Sequence, residues 1–422
     1  MTERIEIRGG TGNDTRTAPA DAPAGQGYHL RGFAGNDSLT GGAYDDWLDG
    51  DGGSDTLNGG EGDDTLIGGS GTDSLSGGAG NDVFGFDALD PSDGFPDTLD
   101  GGDGRDRVDY SNIASAPITV NLIRGTASDV NGQPGQTDRL RSIEEVFGGL
   151  YGDMLLGDYR NNLFRGGVGA DTLNGSSGRD WADYTGSDAA VTVNLGGGAD
   201  ADGFITASGG HAAGDKLRRM EHIIGSAFDD VLTGDGGNNT LRGAAGADTL
   251  DGGAGRDRLD YRDSDAGVTV NLADNTAQGG HAAGDVISNF ENIRGSAHGD
   301  VLTGNDDRNV FVVGAGDDTI DGGGHRKDTV NYRLSDAAVW VDLATTRKLE
   351  DGTYVTNTDR VDANGFITVR GPGGGDKLKN INGIIGSAFD DVLKGHRGWG
   401  AEARDVFRGG EGADKIFGRG GA

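Results

Sequence analysis

Aspartates recur every nine residues near the start of this 422-residue chain, at Asp37, Asp46, Asp55, Asp64, Asp73 and Asp82. Each sits in a turn close to the form Gly-Gly-x-Gly-x-Asp-x-(apolar)-x. Seven segments fit that template without exception, starting at Gly59, Gly68, Gly77, Gly101, Gly166, Gly252 and Gly409. An eighth, from Gly9, departs only in placing Arg16 at the apolar position. A carboxylate oxygen is a hard donor, and Ca²⁺ takes six to eight oxygens from carboxylates and backbone carbonyls. Glycine lets a tight turn bend with its carbonyls pointing inward. The residue types and their spacing therefore read as calcium sites. A lone Gly-Asp turn would be a plain β-turn with an Asx hydrogen bond. Six in perfect register are not explained that way.

The repeats closely resemble those of the RTX (repeats-in-toxin) calcium-binding family, and the resemblance covers nearly all of the chain. It implies an all-β fold: a right-handed parallel β-roll or β-solenoid of Gly-rich nonapeptides, here with β-rich inserts. It also implies Ca²⁺ as cofactor, several ions per chain, held between stacked turns. In such a roll two nonapeptides make one coil, so aspartates eighteen residues apart share an edge. In the first block this pairs Asp37 with Asp55 and Asp55 with Asp73 on one edge. Asp46 with Asp64 and Asp64 with Asp82 occupy the other. Asp97 and Asp106 follow. Later blocks pair Asp153 with Asp171, Asp230 with Asp248 and Asp300 with Asp318. Their opposite edges pair Asn162 with Asp180, Asn239 with Asp257 and Asn309 with Asp328. Asn keeps a carbonyl oxygen but drops the charge, so those sites are expected to be weaker. The last of these pairs carries one extra residue in its link. Asp391, Asp405 and Asp414 form a final block interrupted by the longer link GHRGWGAEAR.

The elements that must position these turns are short strands. The apolar residue two places after each Asp alternates with polar neighbours and faces inward: Leu39, Leu48, Leu57, Leu66, Leu75 and Phe84 in the first block. After Asp97 a longer repeat takes over. It is marked by Tyr110, Tyr184, Tyr261 and Tyr332, which are 74, 77 and 71 residues apart. An alternating strand follows each, at Ile118, Val191, Val268 and Val339. A Gly/Ala loop then leads to Asp215, Asp285 or Asp376, and a divergent loop to Asp138 in the first copy. Asp215, Asp285 and Asp376 are either ligands or turn residues. Helix signals are almost absent. The expected organisation is residues 1–31 as a first strand and turn, 32–100 as the first roll block, and then four insert-plus-roll units over 101–184, 185–261, 262–332 and 333–422. No unit of this length closes a core alone, so each stacks on its neighbours.

Composition agrees with a cation-dependent fold. Glycine is 84 of 422 residues and the formal net charge is −33. Such a chain is at the border of being able to bury enough apolar surface to fold unaided. Cancelling −33 takes about sixteen divalent cations, a number the repeats can accommodate. So acidic a chain is not expected to bind nucleic acid. Cysteine is absent, which removes disulfide and thiolate chemistry. No window of eighteen apolar residues spans a membrane. The start, MTERIEIRGG, is not an N-terminal signal peptide. The resemblance implies an extracellular or cell-surface protein leaving by type I secretion.

No catalytic constellation stands out. HExxH and GxSxG are both missing. His211 and His281 recur in the same loop sequence, which module duplication explains. Trp47, Trp181, Trp340 and Trp399 could stack on sugars, although solenoid packing or subunit contacts account for them better. The expected function is a secreted, non-enzymatic calcium-binding structural protein. It folds on Ca²⁺ and self-assembles end to end as a homo-oligomer or filament, with a cell-surface polysaccharide as a further candidate partner. Alternatives are a calcium-dependent folding and secretion module, or a carbohydrate-binding RTX protein associated with a polysaccharide-modifying enzyme.

Overall fold

The computed structural model describes residues 4–20, 25–85, 95–112, 116–129, 137–324, 327–343, 346–348, 354–356, 361–364, 366–370, 375–396 and 405–418. Among these the regular structure is β, apart from two single-turn 3₁₀ segments at Gly210–Ala212 and Gly280–Ala282. The chain forms two compact units, Met1–Ile223 and Ile224–Ala422.

The first unit is a parallel solenoid. Consecutive half-coils alternate between two ladders. One ladder stacks Ile5–Arg8, Tyr28–Arg31, Trp47–Asp49, Thr65–Ile67, Val83–Phe84 and Arg107–Asp109, each parallel to the next. The other stacks Thr15–Thr17, Ser38–Thr40, Thr56–Glu61, Ser74–Ala79 and Thr98–Asp103. Most strands are three or four residues long because a turn must follow. That leaves room for one inward side chain per strand. In the first ladder these are Leu30, Leu48, Leu66, Phe84 and Val108; in the second, Leu39, Leu57, Leu75 and Leu99. All are at most 1% exposed. Register makes each sit directly on its equivalent one coil away, as Leu39 on Leu57 and Leu57 on Leu75. Burying one such side chain is worth about 1.5–3 kcal/mol. The core is therefore two facing columns of single side chains, thin for a chain of this size.

The inserts obey one topology. After Arg107–Asp109 the chain runs through Ile118–Asn121, reverses in Thr126–Asp129, and returns as Asp138–Arg141. Asp138–Arg141 pairs parallel with Thr98–Asp103 behind it, while Ile118–Asn121 pairs parallel with Met154–Leu156 ahead. The second ladder thus gains two strands. The first ladder continues without a gap, from Arg107–Asp109 to Glu145–Phe147 to Leu163–Arg165. The second unit repeats the arrangement. There Val286–Ser288, Thr276–Gln278 and Thr269–Asn271 lie between Thr249–Asp251 and Val301–Thr303. Arg258–Asp260, Asn292–Arg294 and Val310–Val312 stay adjacent in the other ladder.

Candidate metal centres: ladders of buried aspartate

Coil stacking brings the repeat aspartates together along two edges. The backbone N–H of each donates to Oδ1 of the equivalent Asp one coil later. Asp37 donates to Asp55 at 2.6 Å, Asp55 to Asp73 at 2.7 Å, Asp46 to Asp64 at 2.7 Å and Asp64 to Asp82 at 2.8 Å. The glycines are required by this closeness. A Cβ on Gly59 would overlap Oδ2 of Asp64, and one on Gly60, at φ +115°, would overlap the carbonyl oxygen of Gly42. The turn is thereby collapsed around its own carboxylate.

Oδ1 is satisfied by that amide; Oδ2 is not. In Asp37, Asp55, Asp64, Asp82, Asp106, Asp171, Asp180, Asp248, Asp257, Asp318 and Asp328, Oδ2 is buried and accepts no hydrogen bond. Among the described residues none of these eleven has a Lys or Arg ion-pair partner. Other buried acids in the chain are treated differently. Asp260 is also fully buried, yet Arg262 and Arg242 hold its carboxyl below the ordinary value. In the ladders burial pushes the carboxyls up instead: Asp55 to about 7, Asp64 to about 8, Asp171 to about 8 and Asp318 to about 9. Carboxylates of the neighbouring coils push in the same direction. A row of buried, uncompensated anions is costly unless a cation joins it.

The donor set fits a hard divalent cation. Among the described residues no three Asp, Glu or His side chains converge on one point. The carboxylates come as stacked pairs, so the other oxygens must be turn carbonyls. That mixture is the one Ca²⁺ prefers. Bound calcium would supply the positive charge that the eleven orphaned oxygens lack. The family model for the RTX calcium-binding nonapeptide repeat matches residues 31–66, 49–84, 93–112, 147–182, 224–259, 294–324 and 399–422. These segments, just under half of the chain, are RTX calcium-binding nonapeptide repeats. No curated protein matches it significantly.

The later RTX blocks repeat the pairing. Asp153 donates to Asp171, Asp230 to Asp248 and Asp300 to Asp318, each at 2.7–2.8 Å. Asn162 donates to Asp180 and Asn239 to Asp257. Asn309 donates to Asp328 at 2.8 Å across nineteen residues, so the extra residue in that link is absorbed without breaking the pair. The ladders also cross longer gaps: Asp73 reaches Asp97, Asp82 reaches Asp106 and Asp391 reaches Asp414. Asp405 takes the amide and ring Nδ1 of His396 instead. The link residues 397–404 lie outside the described residues.

The insert aspartates continue one edge. Asp97 donates to Asp138, Asp171 to Asp215, Asp248 to Asp285 and Asp318 to Asp376. Two of the four recurring tyrosines find their role here. Tyr184 donates its hydroxyl to Oδ2 of Asp215 at 3.0 Å, and Tyr261 to Oδ2 of Asp285 at 2.7 Å. The oxygen left open elsewhere is closed at these ladder ends. The next strand restarts the edge, with the N–H of Ile118, Val268 and Val339 on Asp153, Asp300 and Asp391.

Two features escaped the sequence reading. The opposite edge continues through Glu144, Glu221 and Glu291, whose Oε2 accept from Asp106, Asp180 and Asp257. Their signal was present as an acid six residues after Asp138, Asp215 and Asp285, but the nine-residue frame hid it. An outer ladder also runs along the turn tips in the reverse sense. There the N–H of Asp63, Asn81 and Arg105 donates to the Asp45, Asp63 and Asn81 side chains of the preceding coil. This explains why Asn or Asp so often precedes the repeat Asp.

Proposed function

We propose that the protein is a secreted, non-enzymatic structural protein whose rolls fold when Ca²⁺ fills the aspartate ladders, and that it associates end to end outside the cell. The observation that carries this reading is the row of buried Oδ2 atoms without partners. Metal-free, the fold sets a thin core against stacked like charges. Calcium modules outside cells bind with Kd of about 10⁻⁴–10⁻³ M. At cytosolic calcium the chain would remain unfolded and exportable by type I secretion; outside it would fold. Circular dichroism in EDTA and then in millimolar Ca²⁺ tests this, and a full β spectrum in EDTA refutes it.

Association is supported by the outermost strands. Ile5–Arg8 lies at one end of its ladder with Ile5 42% exposed. Val406–Arg408 and Lys415–Phe417 close theirs with Val406, Ile416 and Phe417 exposed. Strand edges with apolar residues are templates for pairing, and a head-to-tail contact makes rings or filaments. Light scattering during a Ca²⁺ titration tests it. A strict monomer at millimolar Ca²⁺ and high protein concentration refutes assembly and leaves the calcium reading intact.

Carbohydrate binding has one observation in its favour. Half-exposed Trp340 lines a pocket of about 300 Å³ with Asp342, Thr368, Arg370 and Lys394. A glycan array with wild type and Trp340→Ala decides it.

A further inference from the structure

We propose that Arg294, with Arg242, Arg258 and Arg262, forms a binding site for a tetrahedral oxyanion, a sulfate or phosphate group, on the outer face of the second unit. The site is separate from the calcium ladders and goes beyond the structural role proposed above.

The strands explain how four arginines meet. Leu241, Leu259 and Ile293 are the inward residues of Thr240–Arg242, Arg258–Asp260 and Asn292–Arg294, and all three are 0% exposed. Their neighbours in sequence therefore point outward. Parallel register sets Leu241 beside Leu259 and Asp260 beside Arg294. Adjacent strands lie about 4.8 Å apart, so the outward side chains form one patch. Arg262 follows two residues after Asp260, and its Nε donates to the two carboxylate oxygens at 3.1 and 2.9 Å. Arg242 pairs with Asp263 and lies 3.8 Å from Asp260.

Arg294 is the residue that these pairings leave over. It is half-buried, and among the described residues its side chain has no hydrogen bond and no ion pair. Burial and the neighbouring Arg262, Arg242 and Arg258 hold its guanidinium below the ordinary value, although Asp260 pulls the other way. The other three modules carry an apolar residue before the corresponding glycine: Phe147, Ile224 and Ile385. Phe147 and Ile385 sit beside Asp109 and Asn331 as Arg294 sits beside Asp260. An apolar ring suits such neighbours, since Arg107 and Arg165 lie 4.6 and 4.0 Å from the Phe147 ring centroid. At Arg294 the same kind of neighbours meet a like charge. The fold does not require arginine there, and a half-buried cation among cations is unfavourable until an anion joins it. The guanidinium fork matches oxyanions. A tetrahedral dianion offers oxygens in several directions to groups from three adjacent strands, whereas a carboxylate offers one plane.

Isothermal titration calorimetry on the full chain, saturated with Ca²⁺ in chloride buffer, measures binding of inorganic sulfate, glucose 6-sulfate and acetate. Wild type is expected to bind one sulfate, and to bind acetate at least about tenfold more weakly. Arg294→Ile installs the residue that two other modules hold at this position, and should weaken sulfate at least about tenfold. Arg294→Lys keeps the charge, loses the fork and should weaken sulfate about threefold or more; it decides the question if the isoleucine variant does not fold. Arg333→Ala, at the position of Arg262 in the next module, should match wild type. Sulfate should also raise the urea midpoint of wild type and leave that of Arg294→Ile unmoved. Glucose 6-sulfate bound as tightly as inorganic sulfate assigns the group to an ester on a larger molecule, and binding of inorganic sulfate alone assigns it to the free ion; either supports the site. The proposal is overturned by a wild type that binds no sulfate at millimolar concentration, by unchanged affinity in a folded Arg294 variant, by an equal loss in Arg333→Ala, or by acetate bound as tightly as sulfate.

Discussion

Asp64→Asn tests the ladder most directly, because the substitution should have opposite effects with and without calcium. Asp64 stacks between Asp46 and Asp82, so its carboxylate is placed to serve two ions. At ten times Kd, an ion that binds only the folded state contributes about 1.4 kcal/mol. Losing two costs about 2.8 kcal/mol, a large share of the stability of a typical domain. In EDTA the sign reverses. The Oδ2 of Asp64 is then a buried orphan, and burial drives the carboxyl up to about 8. A neutral amide relieves that cost, by on the order of 1 kcal/mol or more. Asp328→Asn is the matched control. Asp328 lies between Asn309 and Asn382, neither of which brings a charge. Its loss in calcium should be less than half as large. The assay is urea denaturation followed by circular dichroism, once in Ca²⁺ at ten times Kd and once in EDTA. A stabilising osmolyte can be added to populate the metal-free fold. Equal effects of the two substitutions in calcium, or destabilisation by Asp64→Asn in both conditions, would refute the reasoning.

Acidification should favour the metal-free fold. Folded carboxyls at about 7 for Asp55, about 8 for Asp171 and about 9 for Asp318 bind protons that the unfolded chain has released above about pH 4. This stability is fully present below about pH 4 and is lost as pH rises through those values, so in EDTA the β signal at pH 5 should exceed that at pH 8.5; the reverse order refutes the assignment. Ala244 occupies a second-glycine position at φ +73°, so Ala244→Gly should raise stability in calcium by about 1 kcal/mol, read as an increased urea midpoint. Tyr261→Phe removes the buried hydroxyl on Asp285 and should cost about 1–3 kcal/mol in the same assay; no change would mean that the hydroxyl does not close that ladder.

The sequence by itself determined the repeat register. Its nine-residue period placed the aspartates and buried leucines, and its Gly-Gly-x-Gly steps let one turn lie closely on the next. Composition then required a cation, because a core one side chain thick cannot carry stacked carboxylates. The resemblance implied a coil of two nonapeptides, and with it the period predicted the eighteen-residue pairs. The inserts were not legible in this way. Which strand lies beside which depends on chain reversal, and a hairpin such as Ile118–Asn121 with Thr126–Asp129 can be laid on a ladder in more than one order. Only the tertiary structure decided that the inserts widen one ladder and leave the other continuous. That choice brings Glu221 and Glu291 to the places where a ninth-residue Asp would stand, and Tyr184 and Tyr261 to the carboxylates they close. The physical reason is distance along the chain. A ladder contact eighteen residues away is fixed by the repeat itself, whereas Asp180 meets Glu221 across forty-one residues, through a fold of the insert that no local period encodes.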